Sequence, residues 1–201
     1  MEIRRASELG KDIRKEISDI FVAGFFQWLR YFSKDPEKLS RALAHMFCPE
    51  AFYAAVEDGE ILGIAACTDG KTSSVQIQTK ELRRHLGFVM GSFAGLQLKR
   101  ELENRPYPFP LEPGTGSIEF VATDPKHLGQ GVASAILRHI FSDTPYHAYV
   151  LEVADTNAPA VRLYEKLGFR EFLRVPNKYS KQSGINAFIY MKYEKENDVR
   201  P

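Results

Sequence analysis

Two glycines and their neighbours are the first candidates for chemistry in this chain. Gly129 and Gly131 stand between an apolar, β-rich run, Ile118 to Thr123, and a segment where Val132, Ala133, Ile136, Leu137 and Ile140 recur at helical spacing. Asp124-Pro125 ends the run, because proline offers no N–H to a ladder and restricts the residue before it. The unit is a strand, a glycine-containing turn and a helix. The first N–H groups of a helix have no internal partner and lie at the positive end of its dipole. Glycine also lets the main chain come close to a phosphate. The amides of Gly129, Gln130, Gly131, Val132, Ala133 and Ser134 can therefore hold a phosphorylated ligand. An ordinary β–α connection, with glycines serving turn geometry alone, fits the same spacing.

Other residue types exclude more than they suggest. His45 and Cys48 share helical spacing, but two soft ligands do not make a zinc site, and no metal centre is expected. Cys48 and Cys67 cannot build a disulfide framework, which fits a reducing compartment. The 201 residues, 44% hydrophobic, suffice for one packed core, so 1–201 is expected to be a single domain. Net charge is +1 with acids and bases interspersed, which leaves no electrostatic footprint for nucleic acid or an anionic membrane. Met1-Glu-Ile-Arg-Arg lacks a signal-peptide core. The longest low-charge run, Leu86 to Leu98, falls below the roughly 20 residues of a membrane span. A cytoplasmic protein is expected.

The elements that must position the glycine turn follow from periodicity. Glu2 to Ala6 reads as a strand, and Lys11 to Phe32 as a helix with Ile13, Ile17, Ile20, Phe21, Gly24 and Trp28 on one stripe. Phe25, Phe26, Tyr31 and Phe32 exceed that stripe, either packing on a next helix or walling a pocket. A second helix starts at Asp35-Pro36. Ala51 to Val56 and Ile61 to Cys67 form a hairpin around Asp58-Gly59, and Ser74 to Gln78 is a third β-run. Thr79 to Asn104 reads as one long helix in which Leu82, Leu86, Val89, Met90, Phe93 and Leu96 share a face. Gly87, Gly91 and Gly95, at about 1 kcal/mol each, imply close packing on a neighbour in this chain or another subunit. Arg105 to Gly116 is a proline-rich connector or an active-site wall. After the central unit come a strand, Tyr146 to Val153, and a helix, Asn157 to Leu167, stopped by Gly168. Strands Phe169 to Val175 and Ile185 to Tyr193 and a tail from Glu194 to Pro201 complete the chain. The class is α/β or α+β, a mixed sheet covered by helices.

Two segments together resemble a known family. Val121-Ala-Thr-Asp-Pro-Lys-His-Leu-Gly-Gln-Gly-Val-Ala133 is similar to the acyl-CoA-binding motif of the GNAT superfamily of N-acetyltransferases: Arg or Gln, two residues, Gly, one residue, then Gly or Ala. That frame falls on Leu128, Gly131 and Ala133. Asn157-Ala-Pro-Ala-Val-Arg-Leu-Tyr-Glu-Lys-Leu-Gly-Phe169 resembles the family's second signature, Asn-x-x-Ala-x-x-Leu-Tyr-x-x-x-Gly-Phe. The resemblance is close over residues 117 to 175. Leu128 departs from it by replacing the usual Arg or Gln; main-chain amides, which hold the pyrophosphate in this family, are unaffected by that change.

The resemblance implies a mixed, mostly antiparallel sheet flanked by helices, with 79–116 as an inserted helix and loop. It implies acetyl-CoA as cosubstrate, with Val121, Ala122, Thr123 and residues 128 to 134 on the cofactor. The central strand and the next one would splay, admitting the pantetheine arm between them, and Asn157 would hydrogen-bond that arm. Tyr164, on the same helix face as Asn157, would protonate the departing thiolate, since a phenol near pKa ~10 keeps its proton at neutral pH. An incoming ammonium needs a base; Glu119 is the first candidate, and Glu152 and His147 follow. The function implied is direct acetyl transfer to a primary amine, with a small-molecule acceptor favoured by the aromatic excess, and the family is compatible with a homodimer. Alternatives are a non-catalytic acyl-CoA-binding module of the same fold, and a dinucleotide site using Gly129-x-Gly131 with Glu152, in which Ser134 takes the third glycine position.

Overall fold

Alternating apolar strands and amphipathic helices assemble into one seven-stranded sheet. A computed structural model describes residues 1–103 and 106–195, apart from the Gln182 side chain. Strands β1 (Glu2–Arg5), β2 (Phe52–Glu57) and β3 (Glu60–Thr68) pair antiparallel, followed by β4 (Thr115–Thr123). β5 (Ala148–Ala154) joins β4 in parallel, β7 (Ala187–Glu194) pairs antiparallel with β5, and β6 (Arg170–Pro176) closes the edge beyond β7. The β2–β3 turn places Asp58 at φ 50° and Gly59 at φ 83°, the two left-handed residues a two-residue hairpin requires.

Helices α1 (Arg14–Leu29) and α2 (Pro36–Leu43) cover one face, where Ile17, Phe21, Leu43, Phe52 and Ile64 are buried together. Asp35 caps α2 by accepting the Lys38 amide at 3.1 Å. On the other face lie α5 (Val132–Asp143) and α6 (Ala158–Lys166), where Leu137 and Ile140 of α5 are buried with Tyr149, Leu151 and Ile189 of the sheet. Gly63 on β3 makes the α5 contact close: a Cβ there would lie 2.6 Å from Val132 Cγ1. β4, α5 and β5 thus form the one parallel crossover among the described residues, so a doubly wound dinucleotide-binding architecture is excluded.

The chain between β3 and β4 differs from its sequence reading in two ways. Ser74 to Gln78 makes no sheet strand; the edge of β3 is taken by β4, and Val75 forms only a bridge to Phe47. The single long helix is instead a hairpin of α3 (Thr79–Leu86) and α4 (Phe88–Leu98), ending in a π-helical turn, Lys99–Glu103. Gly87 breaks it at φ 85°, ψ 163°, a conformation open essentially to glycine. Val89 and Leu96 consequently face solvent while Leu82 and Leu86 are buried, so the expected common stripe does not form. The neighbour of the remaining glycines is the same chain: a Cβ at Gly91 would lie 2.5 Å from the Arg83 main chain, and one at Gly95 2.6 Å from Thr79 Oγ1.

Shorter departures lie at the C-terminal end. A one-turn α7 (Ser180–Ser183) sits in the β6–β7 connection. Glu194 belongs to β7 rather than to a tail, Lys195 donates its amide to the His147 carbonyl, and 196–201 lie outside the described residues. No helix among the described residues is long and apolar enough to cross a membrane.

The α3–α4 hairpin predicts an inversion of the usual helix rule. Alanine normally outperforms glycine in a helix, yet Gly91→Ala should lower stability by roughly 1–3 kcal/mol through overpacking. Gly87→Ala, with open space around it, should lose a similar roughly 1–3 kcal/mol through backbone strain alone. Urea unfolding of both variants measures this; unchanged midpoints would show that α3 and α4 do not pack as described.

Candidate active site

One extra residue in β4 creates the site. Against β3, Glu119 pairs with Ala66 and Ala122 with Ile64, so Phe120 and Val121 together oppose Ala65. This is a β-bulge, and Phe120 adopts φ 51°, unusual for a side-chain-bearing residue. Alternation along the strand is reset: Phe120 packs on the α1/α2 face, where the Glu119 partner Ala66 also lies, while Val121 packs on the α5/α6 face. On the other side of β4, parallel pairing with β5 runs from Thr115↔Ala148 to Ile118↔Leu151 and then ceases. The splay implied by the motifs is therefore present.

A cavity of about 850 Å³ opens where the two strands part and is lined from both faces of the sheet. Glu119 to Val121 and Leu151 to Ala154 form its throat, Asn157 and Tyr164 reach it from α6, and Phe21, Phe25 and Trp28 from α1 wall it with Phe32 just beyond that helix. Pro106 and Tyr107 contribute as well, so the proline-rich segment is a wall and not only a connector.

Glu119 is held by hydroxyls. Ser117 Oγ donates to its carboxylate at 2.8 Å, Thr68 Oγ1 at 3.3 Å, and Ser74 Oγ also donates. The Tyr107 hydroxyl backs this cluster, 2.7 Å from Ser117 Oγ. No lysine or arginine pairs with Glu119 among the described residues. Burial raises the Tyr107 pKa above the usual phenol value, and the carboxylates of Glu119 and Glu152 add to the effect against the Ser117 contact. Glu152 accepts the Tyr190 hydroxyl at 2.6 Å.

Tyr164 is buried, packs edge-on against Phe169, and lines the cavity without a hydrogen bond to its hydroxyl among the described residues. Burial alone pushes its pKa well up, which keeps the phenol protonated. Asn157 caps α6, its Oδ1 accepting the Ala160 amide at 3.3 Å, and lines the cavity too.

The glycine turn lies outside that cavity. Gly131, at φ 81°, precedes α5 with no side chain capping the helix, so the amides of Val132, Ala133 and Ser134 are left for an external acceptor. A Cβ at Gly129 or Gly131 would meet nothing within 4 Å. That open, uncapped helix start fits a pyrophosphate. Leu128 is 65% exposed beside it, while the Gln130 side-chain Nε2 donates back to the Lys126 carbonyl at 3.3 Å. Ala122 is buried on the α1/α2 side, and Thr123 pairs with Gly63 at the end of β4.

The geometry invites comparison with known proteins. The sequence model of the acetyltransferase (GNAT) family matches residues 14–169. This chain belongs to that family. Among GNAT relatives, mycothiol acetyltransferase of Acidothermus cellulolyticus is 32% identical over 71% of this chain and 39% of its own length. The Escherichia coli [ribosomal protein bS18]-alanine N-acetyltransferase is 35% identical over 35% of this chain and 50% of its own length. The chain thus spans well under two thirds of these relatives. An N-acetyltransferase structure from Staphylococcus aureus Mu50 superposes with TM-score 0.61 at 16% identity, covering 96% of this chain and 100% of that one. YncA of Salmonella typhimurium, solved with its cofactor acetyl-CoA, gives 0.58 at 17% identity, covering 100% and 97%. These two establish the shared GNAT fold.

Several neighbours of the GNAT motifs went unseen in the sequence. Thr68, Ser74 and Ser117 carry no spacing signal, and Phe120 gives no hint of its φ. His147, considered as a base, is not at the site: it precedes β5 at the paired end of the strands, its ring against Gly114. No cluster of metal-ligating residues occurs among the described residues.

Neither cysteine lines the cavity. Burial, with Glu119 adding, pushes the Cys67 thiol up to about 12. A disulfide reagent at pH 8 should therefore leave Cys67 unmodified in the folded protein and label it in urea. Rapid native labelling, located by peptide mass, would contradict its burial.

Proposed function

We propose that this chain transfers the acetyl group of acetyl-CoA directly to a primary amine, with residues 1–201 acting as one catalytic domain. Family membership supports the acyltransferase class. The observation that carries the mechanism is the cavity through the parted β4 and β5, which holds Tyr164 from one face and Glu119 from the other.

Acetyl-CoA supplies an activated thioester. The amides from Gly129 to Ser134 would hold its pyrophosphate, and the cofactor arm would run along Val121, Ala122 and Thr123 with Asn157 as a hydrogen-bond partner. Leu128 adds no polar contact and removes none from the main chain. Glu119, fixed by three hydroxyls, removes a proton from the attacking ammonium, directly or through a water. Tyr164, protonated because it is buried, delivers a proton to the leaving sulfur. A covalent acyl-enzyme is not required, since both cysteines lie outside the cavity. Tyr164 and Asn157 meeting in one cavity weighs against a purely acyl-CoA-binding module.

Saturating acetyl-CoA, at about 100 times its dissociation constant, should stabilise the protein by roughly 2.7 kcal/mol, a rise of about 5–10 °C in Tm; NAD should give none. Tyr164→Phe should keep that shift while kcat drops about 10²- to 10⁴-fold. In Glu119→Gln, kcat/KM should fall by a similar 10²- to 10⁴-fold factor, roughly, and lose the rise on the acid side of its pH profile that reports the base. An unchanged profile would remove Glu119 from that role.

A further inference from the structure

We infer that the acceptor is a monoamine carried on an apolar, ring-bearing body, an arylalkylamine in chemical class, seated with its ammonium at Glu119 and its ring against α1. This inference rests on the acetyl-transfer reading of the same cavity and specifies its second substrate.

Three observations carry it. The bulge at Phe120 puts a carboxylate and an aromatic ring side by side on the α1/α2 face of β4, so a negative group and an apolar wall begin at the same point. Glu119 is partnered by hydroxyls alone among the described residues. Hydroxyl donors orient a carboxylate but leave its charge unmatched, and a half-buried charge is best matched by a ligand cation. The wall that continues from it is aromatic: Phe120 meets Phe21 edge-on at 5.5 Å, Phe21 meets Phe25 at 4.8 Å, and Phe25 meets Trp28 at 5.7 Å.

These rings form a run along one side of α1 and line the cavity with Leu29 and Phe32. A rigid ring on the acceptor would stack there with little loss of rotational freedom. A sugar or an oligoamine would instead press hydroxyls or further ammonium groups against Phe21, Phe25 and Phe120, whose rings carry no polar group. Lys71 and Arg100 share the lining with Glu101, Glu103, Glu119 and Glu152, and Arg100 is paired with Glu101 at 2.7 Å, so selection against an oligoamine rests on the aromatic wall and not on charge.

Transfer to such an acceptor balances simply. The acetyl carbon gains a bond to nitrogen and loses its bond to sulfur. The ammonium gives up two protons: one leaves through Glu119 to solvent, and the other replaces the proton that Tyr164 hands to sulfur.

The test uses the full chain with acetyl-CoA and follows the acetylated amine by mass. The probes are phenethylamine, tryptamine, propylamine, spermidine, glucosamine and a short peptide with N-terminal alanine. The ring-bearing amines should exceed propylamine in kcat/KM by roughly 10- to 200-fold, the range one hydrophobic pocket provides. Trp28→Ala and Phe25→Ala should each shrink that ratio by about tenfold while the acetyl-CoA shift in Tm persists. Trp28 is 39% exposed, so its truncation does not hollow the core. Faster turnover of spermidine, glucosamine or the peptide, or a ratio unchanged in both variants, overturns the inference. Acetyl-CoA stabilisation without turnover of either ring-bearing amine overturns the acceptor class and leaves the cofactor reading standing. Absence of any acetyl-CoA shift overturns both.

Discussion

The site depends on one interruption in hydrogen bonding: the ladder between β4 and β5 ends at Ile118↔Leu151. A continuous sheet would seal its two faces from one another, because neighbouring strands lie only about 4.8 Å apart. The bulge at Phe120 and Val121 bends β4 and increases its local twist, which ends the register with β5. Phe120 at φ 51° costs on the order of 1–3 kcal/mol. Its ring meets Phe21 edge-on and lies stacked 6.2 Å from Phe52, and that packing holds the conformation in place. Strain stored at this point buys a passage through the sheet.

Chemistry divides between the faces. On the α5/α6 side the features are an uncapped helix start and a buried phenol, suited to a phosphorylated thioester and its leaving group. Across the sheet they are a hydroxyl-bound carboxylate and a row of rings, suited to a cation with an apolar body. Burial keeps Tyr164 and Tyr107 protonated, whereas hydroxyl donors orient the Glu119 carboxylate.

Glycine is used where backbones must come close. Gly63 lets Val132 at the start of α5 settle on β3, which fixes where the helix amides point. Gly91 and Gly95 let α4 fold against α3, and the end of that hairpin returns along the cavity through Gln97, Leu98 and Arg100. The α3–α4 hairpin and the π-helical turn after it thereby line the cavity together with Trp28 and Phe32.

Much of this was legible in the residues. The strand–turn–helix around Gly129 and Gly131, the Asp58-Gly59 hairpin, the Asp35 cap and the Asn157-to-Phe169 signature all rest on contacts between near neighbours in sequence, so local pattern suffices for them. The same locality explains the failures. Thr79 to Asn104 has helical periodicity throughout, yet Gly87 takes a conformation that only packing of α4 back on α3 selects. Ser74 to Gln78 has β-forming residues, but β4 had already filled the edge it would need. Glu119 on β4 and His147 just before β5 are both titratable residues; only the end at which β4 and β5 part separates bystander from candidate. What the sequence determined by itself was the glycine turn before α5, the caps and the strand and helix alternation. The bulge, the hydroxyls gathered on Glu119 and the aromatic run facing it were decided in three dimensions, because they join residues from β3, β4, α1 and the proline-rich segment whose proximity exists only once the sheet has formed.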